Sequence, residues 1–203
     1  MRPIVGVLGF QGAIEEHVYI TRKALKEAGL QGEVRVVKKR GEVEDVDGLI
    51  IPGGESTVIG SMMEHTGVMD YLKEMKEEFP VFGTCAGMIV LARKVRDRVL
   101  GETNQPTAGV LDIVVERNHF GRQNDSFEVD LEIPAIGGVF RGIFIRAPVV
   151  LEVGSGVEVL CSFNGKIVAV KQEKVLATAF HPELTDDARV HRYFIEKVVM
   201  SNQ

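Results

Sequence analysis

Two cysteines stand in this sequence, Cys85 and Cys161, in very different surroundings. Cys85 lies in Val81-Phe82-Gly83-Thr84-Cys85-Ala86-Gly87-Met88, where Gly-x-Cys-x-Gly joins a short apolar run to a helical pattern. That is the context of a nucleophile elbow, with sulfur in place of a serine hydroxyl. Gly83 and Gly87 permit a tight turn, which forces strained backbone angles on Cys85 and pushes its side chain into a cleft. A helix N-terminus directly beyond it favours the thiolate. The N–H of Ala86 points the same way, toward a developing oxyanion. A buried core thiol beside two packing glycines is the alternative. Cys161 follows Val157 and Val159 at strand spacing and reads as a structural core thiol.

A cysteine nucleophile needs an imidazole nearby, and the imidazole needs an acceptor to orient it. Of five histidines, His181 has the most suggestive neighbours: Ala179-Phe180-His181-Pro182-Glu183-Leu184 closes the last strand-like run. Proline holds the residue before it extended. In extended chain, residues two apart share a face, so Glu183 can accept from one ring nitrogen while the other faces Cys85. His17, His65 and His191 sit on helical segments among charged residues and read as surface groups. No histidine or cysteine has metal-ligand spacing, so no zinc site is expected.

A second glycine turn follows an apolar run in Leu49-Ile50-Ile51-Pro52-Gly53-Gly54-Glu55-Ser56-Thr57. Two glycines permit backbone angles that aim an N–H into the cleft, which makes Gly54 the second candidate oxyanion donor. Ser56 or Thr57 is also placed to cap the next helix. Gly6, Gly9 and Gly12 do not form a dinucleotide-binding fingerprint, and no phosphate loop is present. Arg117 and Arg146 each interrupt an apolar or compact stretch. A guanidinium fork suits an α-carboxylate, although an ordinary surface arginine fits the sequence equally well.

The elements that must position these residues alternate through the first half. Strands are expected over Ile4–Leu8, Glu33–Val37, Val46–Ile51 and Val81–Phe82. Helices are expected from Ile14 to Ala28, from Val58 to Phe79 with a break near Gly67, and from Ala86 to Val95. That order predicts an α/β fold with a mostly parallel central sheet and helices on both faces. The second half reads as strands without intervening helices: Val110–Val115, Phe127–Ile133, Ile143–Ile145, Val157–Cys161, Ile167–Val170 and Val175–Ala179. These are antiparallel additions to the sheet. A last helix is expected from Asp186 to Met200.

With 203 residues, the chain is expected to form one domain. A net charge of -5 without a basic stripe argues against nucleic acid. The start lacks the features of a signal peptide, and no apolar run approaches membrane-spanning length. Two cysteines in unlike contexts suit a reducing cytoplasm better than a disulfide scaffold.

Together, Gly-Thr-Cys-Ala-Gly and His-Pro-Glu make the sequence resemble the class I, triad-type glutamine amidotransferases. More specific segments are Leu8-Gly9-Phe10-Gln11-Gly12, Pro52 to Thr57, Glu116-Arg117-Asn118-His119-Phe120-Gly121-Arg122-Gln123 and Phe144-Ile145-Arg146-Ala147-Pro148. These are similar to the glutaminase subunits of pyridoxal 5′-phosphate synthases, in the same order and across nearly the whole chain. The resemblance implies a flavodoxin-like three-layer fold. It implies Cys85, His181 and Glu183 as the catalytic set, and L-glutamine contacts at Gly54, Glu55, Ser56, Arg117, Ile145 and Arg146. It gives Gln11 a place near the oxyanion hole or the partner interface. It further implies that ammonia passes to a separate barrel-shaped synthase subunit in a hetero-oligomeric complex, and that this chain carries no cofactor. The nearest alternative is a glutaminase serving another synthase. A stand-alone cysteine hydrolase and a non-catalytic glutamine-binding subunit are more distant readings. Phe10 departs from the leucine common at its position, and the stretch from Arg96 to Gly109 is variable in the family.

Overall fold

Unbroken apolar runs mark strands covered on both faces. Val5 to Leu8 and Leu49-Ile50-Ile51 are such runs, and they form buried interior strands of the sheet. The computed structural model describes residues 2–76, 78–120 and 126–201. Its first half alternates: β1 (Ile4–Leu8), α1 (Ile14–Glu27), β2 (Glu33–Val37), α2 (Arg40–Val43), β3 (Gly48–Ile51), α3 (Ser56–His65), α4 (Val68–Glu74), β4 (Val81–Thr84) and α5 (Ala86–Leu91). Strands then dominate: β5 (Ala92–Asp97), β6 (Gly101–Glu102), β7 (Leu111–Arg117), β8 (Phe127–Ile133), β9 (Gly138–Phe144), β10 (Val149–Val153), β11 (Glu158–Phe163), β12 (Lys166–Gln172) and β13 (Val175–Thr178). A short 3-10 turn, Pro182–Leu184, precedes α6 (Arg189–Phe194), which winds on as a π-helix over Ile195–Val199.

The main sheet runs in the order β2-β1-β3-β4-β13-β12-β10-β7-β5-β6, with β11 on β12. The five strands from β2 to β13 are mutually parallel, and β12 and β10 continue antiparallel. Helix α1 packs with α6, and α3 with α4 and α5, as the helical layers flanking the sheet. The α/β class, the parallel core and the antiparallel additions are thus as the sequence predicts. β8 and β9 form a separate hairpin whose Phe127 and Phe144 rings stack 4.8 Å apart.

Three expectations need correction. The helix expected from Ala86 to Val95 ends at Leu91, and Ala92–Asp97 is a strand paired with β7. The apolar run disguised the switch, but Arg93, Lys94 and Arg96 face outward between buried Ala92, Val95 and Asp97. Sheet pairing overrides the helical periodicity there. The short strand expected at Ile143–Ile145 is the end of the longer β9. The last helix begins at Arg189, not Asp186. The break at Gly67 is present, with φ at 75°.

The elbow at Cys85 depends on close packing of α5 against the sheet. A Cβ built on Gly87 would lie 2.1 Å from the Ile51 carbonyl oxygen, and one on Gly83 would lie 2.5 Å from the Gly87 backbone. Neither obstacle is a flexible side chain. Gly87→Ala is therefore expected to cost about 2–3 kcal/mol of stability by overpacking. Denaturant unfolding of the variant beside the parent checks this, and a loss under half a kcal/mol would contradict the packing argument.

Candidate active site

Cys85, Gly54 and His181 follow β4, β3 and β13, three neighbouring parallel strands, so all three lie at the carboxyl edge of the sheet. That edge is where open α/β sheets place their sites. Cys85 has φ at 52°, in the left-handed region, with ψ at -106°. A non-glycine residue held there costs on the order of 1–3 kcal/mol. The conformation is pinned by its N–H, which donates to the Thr178 carbonyl at 2.8 Å. Its thiol lies 3.8 Å from the Ile145 carbonyl oxygen and shares the cleft with the His181 ring.

His181 is fixed from both sides. Its backbone N–H donates to Ile143 at 2.8 Å, and its Nδ1 lies 2.7 Å from Glu183 Oε1. Proximity of His181 and Glu183 is as expected, but its local cause is not. The segment after His181 curls into the 3-10 turn instead of staying extended, and the carboxylate is presented from that turn. Burial pushes His181 down, but hydrogen bonds to Cys85 and Glu183 outweigh it and raise its pKa to about 10. Burial likewise pushes Glu183 up. The imidazoles of His17 and His181 outweigh that and hold its carboxyl at about 2. The pair is thus arranged as imidazolium and carboxylate across the neutral range. Cys161 is the contrast: burial raises its thiol to about 11, as suits a core group.

These groups open onto a cleft of about 320 Å³ lined by Gln11, Gly54, Glu55, Ser56, Cys85, Ala86, Ile89, Arg117, Asn118, Ile145, Arg146 and His181. The catalytic, oxyanion and glutamine-contact candidates from the sequence all line it except Glu183, which stands behind His181. Gly54 has φ at 137°, and the Gln11 side chain fills the space beside it. Gln11 Oε1 accepts from the Glu55 N–H at 2.5 Å and so braces this turn. Ser56 does not cap α3. It is the first helical residue, and its hydroxyl donates to Gln105 at 3.3 Å.

Arg117 is held by Asp97 at 2.7 Å and by Gln105 at 3.1 Å. Asp97 is itself buried, and its carboxyl is held down to about 2 by the N–H groups of Val99 and Leu100 and by Arg117. Sequence reasoning missed Asp97 and Gln105, which come from the stretch set aside as variable. Arg146 lies at the rim with φ at 45°, 3.4 Å from Glu55. Gly121, Arg122 and Gln123 lie outside the described residues.

The larger surprise concerns histidine. His65 is exposed, as expected, but His17 and His191 are wholly buried. Their periodicity carried the signal: His17 stands three residues after Ile14 and four before Thr21, and His191 three before Phe194. Burial lowers the pKa of both. Each is harder to protonate in the fold than in the unfolded chain, which takes up protons below about 6.5. Stability therefore falls as pH drops below that value, at up to about 2.7 kcal/mol per pH unit for two sites. His181 adds no slope there, because a raised pKa gives stability fully present below 6.5 and lost only as pH rises through about 10. Thermal unfolding of His191→Phe between pH 4.5 and 6.5 is expected to show about half the parent's slope; an unchanged slope would count against buried neutral histidines.

A thiol, an imidazole and a carboxylate gathered at the ends of parallel strands form an arrangement that can carry nucleophilic thiol chemistry. The chain belongs to the SNO glutamine amidotransferase family, which it matches over residues 7–200. It is 50% identical over 201 residues to the pyridoxal 5′-phosphate synthase subunit PdxT of Pelotomaculum thermopropionicum, covering 98% of this chain and 97% of that protein. The PdxT of Staphylothermus marinus is 48% identical over 201 residues, covering 96% of this chain and 98% of the relative. A crystal structure of a glutamine amidotransferase superposes with a TM-score of 0.82 at 48% identity, covering 95% of this chain and 97% of that one.

Proposed function

We propose that this chain is the glutaminase of a pyridoxal 5′-phosphate synthase, hydrolysing L-glutamine to L-glutamate and ammonia through a thioester on Cys85. The observation that carries the reading is the series Cys85, His181 and Glu183, buried behind a cleft of ligand size. The thiolate of Cys85 attacks the side-chain amide carbon of glutamine. The N–H groups of Gly54 and Ala86 hold the oxyanion; Ala86 opens α5, so its N–H has no partner within the helix. The His181 imidazolium gives its proton to the departing nitrogen, and ammonia leaves. His181, now neutral, takes a proton from water, whose oxygen attacks the thioester. Collapse of the second tetrahedral species releases glutamate and restores Cys85. Glu183 holds the ring orientation and balances its charge in both halves.

For the substrate's other end, Arg117 is the best-oriented group. Asp97 and Gln105 take its Nε and Nη1, which fixes the plane of the fork that receives the α-carboxylate. Arg146 and Glu55 at the rim, Ser56 at the start of α3 and the Ile145 backbone complete the glutamine site.

The names of the full-length relatives support a synthase subunit as the partner. By the family resemblance it is barrel-shaped and receives the ammonia. The chain acts as a single domain and as a cytoplasmic enzyme, a reading that two free cysteines support. Among the described residues no helix is long and apolar enough to cross a membrane. The test is glutamine hydrolysis by the purified chain with and without the synthase subunit. Stimulation by the partner is expected. A high rate that the partner leaves unchanged would contradict the coupling, and a different co-purifying synthase would reassign the pathway.

A further inference from the structure

The mechanism uses one oxygen of Glu183 and leaves the other unexplained. Oε1 meets His181 Nδ1. Oε2 is buried, and among the described residues it has no hydrogen-bond partner. An ionised oxygen in that position is costly unless a donor faces it. A side-chain candidate is Nε2 of His17, at 3.5 Å. That ring is wholly buried on α1, with Nε2 also 3.1 Å from the hydroxyl of Thr84, the residue before Cys85. Its Nδ1 lies 3.0 Å from Nε2 of His191, which is wholly buried on α6. A line of buried polar groups thus runs from α6 through α1 to the carboxylate, and on through His181 to the thiol.

The proton positions along this line follow from its two ends. A proton on His17 Nε2 gives Glu183 Oε2 a side-chain donor, beside the backbone N–H of Glu183 that also faces the carboxylate. His17 Nδ1 must then accept from His191 Nε2–H, which leaves His191 Nδ1 as a bare lone pair. That nitrogen is the one without a hydrogen-bond partner among the described residues. The opposite tautomers would aim a lone pair at the carboxylate and strand an N–H at His191 Nδ1. The titratable groups facing His17 are Glu183, His181, His191 and Glu16. Burial lowers the ring's pKa and so disfavours its charged form, which makes a neutral N–H donor the form that suits this place. A cation there would compete with the His181 imidazolium for the carboxylate's charge.

We infer that His17, with its tautomer set by His191, is a positioning residue: its Nε2–H steadies Glu183 Oε2 so that Oε1 stays aimed at His181 Nδ1. At 3.5 Å the contact is long for a hydrogen bond, as contacts in an active site without substrate often are before they tighten in the complex. The role rests on the Cys85–His181–Glu183 reading of the site.

Two measurements test it. Nitrogen-15 NMR of the histidine-labelled chain is expected to find His17 neutral and protonated at Nε2; protonation at Nδ1 would overturn the inference. Kinetics of the complex with the synthase subunit are expected to show His17→Leu lowering kcat about tenfold to hundredfold. KM for glutamine should change by less than about twofold, since His17 does not reach the substrate cleft. With Glu183 less firmly held, the alkaline limb of the pH–rate profile should move to lower pH. Glutamine at this position carries an N–H where Nε2 stood, so His17→Gln should recover most of kcat. Equal activity of the two folded variants, whether both impaired or both intact, would sink the idea. If the leucine variant fails to fold, the tautomer measurement and a folded but inactive glutamine variant each decide against it or, reversed, for it. Loss of turnover in Cys85→Ala with an active parent complex keeps the underlying reading. An inactive parent complex would strike that reading alone, leaving the tautomer result to stand by itself.

Discussion

Replacing Cys85 by alanine is expected to cut glutamine hydrolysis by about 10⁴-fold or more. No other group in the cleft can take over the covalent step. Cys161, the other thiol, is buried in the strand layer with its pKa raised to about 11, so it cannot substitute. Oxyanion donors and the glutamine site would survive and sustain only a residual rate. The fold should be untouched, because alanine keeps the Cβ and the 52° φ that the surrounding turn already imposes. The thiol's other polar contact, the Ile145 carbonyl, is 3.8 Å away and worth little. Circular dichroism and thermal unfolding beside the rate measurement separate the two effects. A folded variant retaining a tenth of the parent rate would end the nucleophile assignment.

Glu183→Gln comes next, with an expected loss of about 10³–10⁴-fold in kcat. The substitution keeps volume and removes the charge. An amide can face His181 with either its oxygen or its nitrogen. With nitrogen toward the ring, Nδ1 must accept, and the proton moves to the nitrogen that faces Cys85. The base is then already occupied. With oxygen toward the ring, the amide nitrogen faces His17 Nε2, and two donors oppose each other in a wholly buried place. Neither arrangement satisfies the line of groups that the carboxylate satisfies. Losing the anion also removes one of the contacts that raise His181 to about 10, so its ionisation should move down toward neutrality. The pH–rate profile of the variant in complex reads this shift directly. A variant with the parent's profile and rate would show that Glu183 is a bystander.

The parts legible from the sequence were those where one physical requirement dominates. Buried parallel strands need unbroken apolar runs, and β1 and β3 have them. An elbow needs small residues on either side of the nucleophile, and Gly83 and Gly87 stand there because the Gly87 and Ile51 backbones leave no room for a Cβ. Where two requirements compete, the sequence misleads. The apolar run from Met88 to Ala92 reads as a helix that would continue past Leu91, yet pairing with β7 takes Ala92–Asp97 into the sheet. His17 and His191 stand beside charged residues that belong to the outer faces of their helices, while their own spacing places them inside. Asp97 and Gln105 offered no local signal, since their role exists only once β5 and the loop after β6 are brought to Arg117. The adjacency of His181 and Glu183 was foreseen by extended geometry and achieved by a 3-10 turn, so two local conformations satisfy the same chemical need.

The central claim is a γ-glutamyl thioester on Cys85. Rapid acid quenching of the complex during turnover, followed by proteolysis and mass spectrometry, tests it most directly. The account predicts a glutamyl adduct on the peptide that carries Cys85 and none on the peptide that carries Cys161. Steady turnover of glutamine with both cysteines unmodified at every quench time, or an adduct on any other side chain, would contradict it.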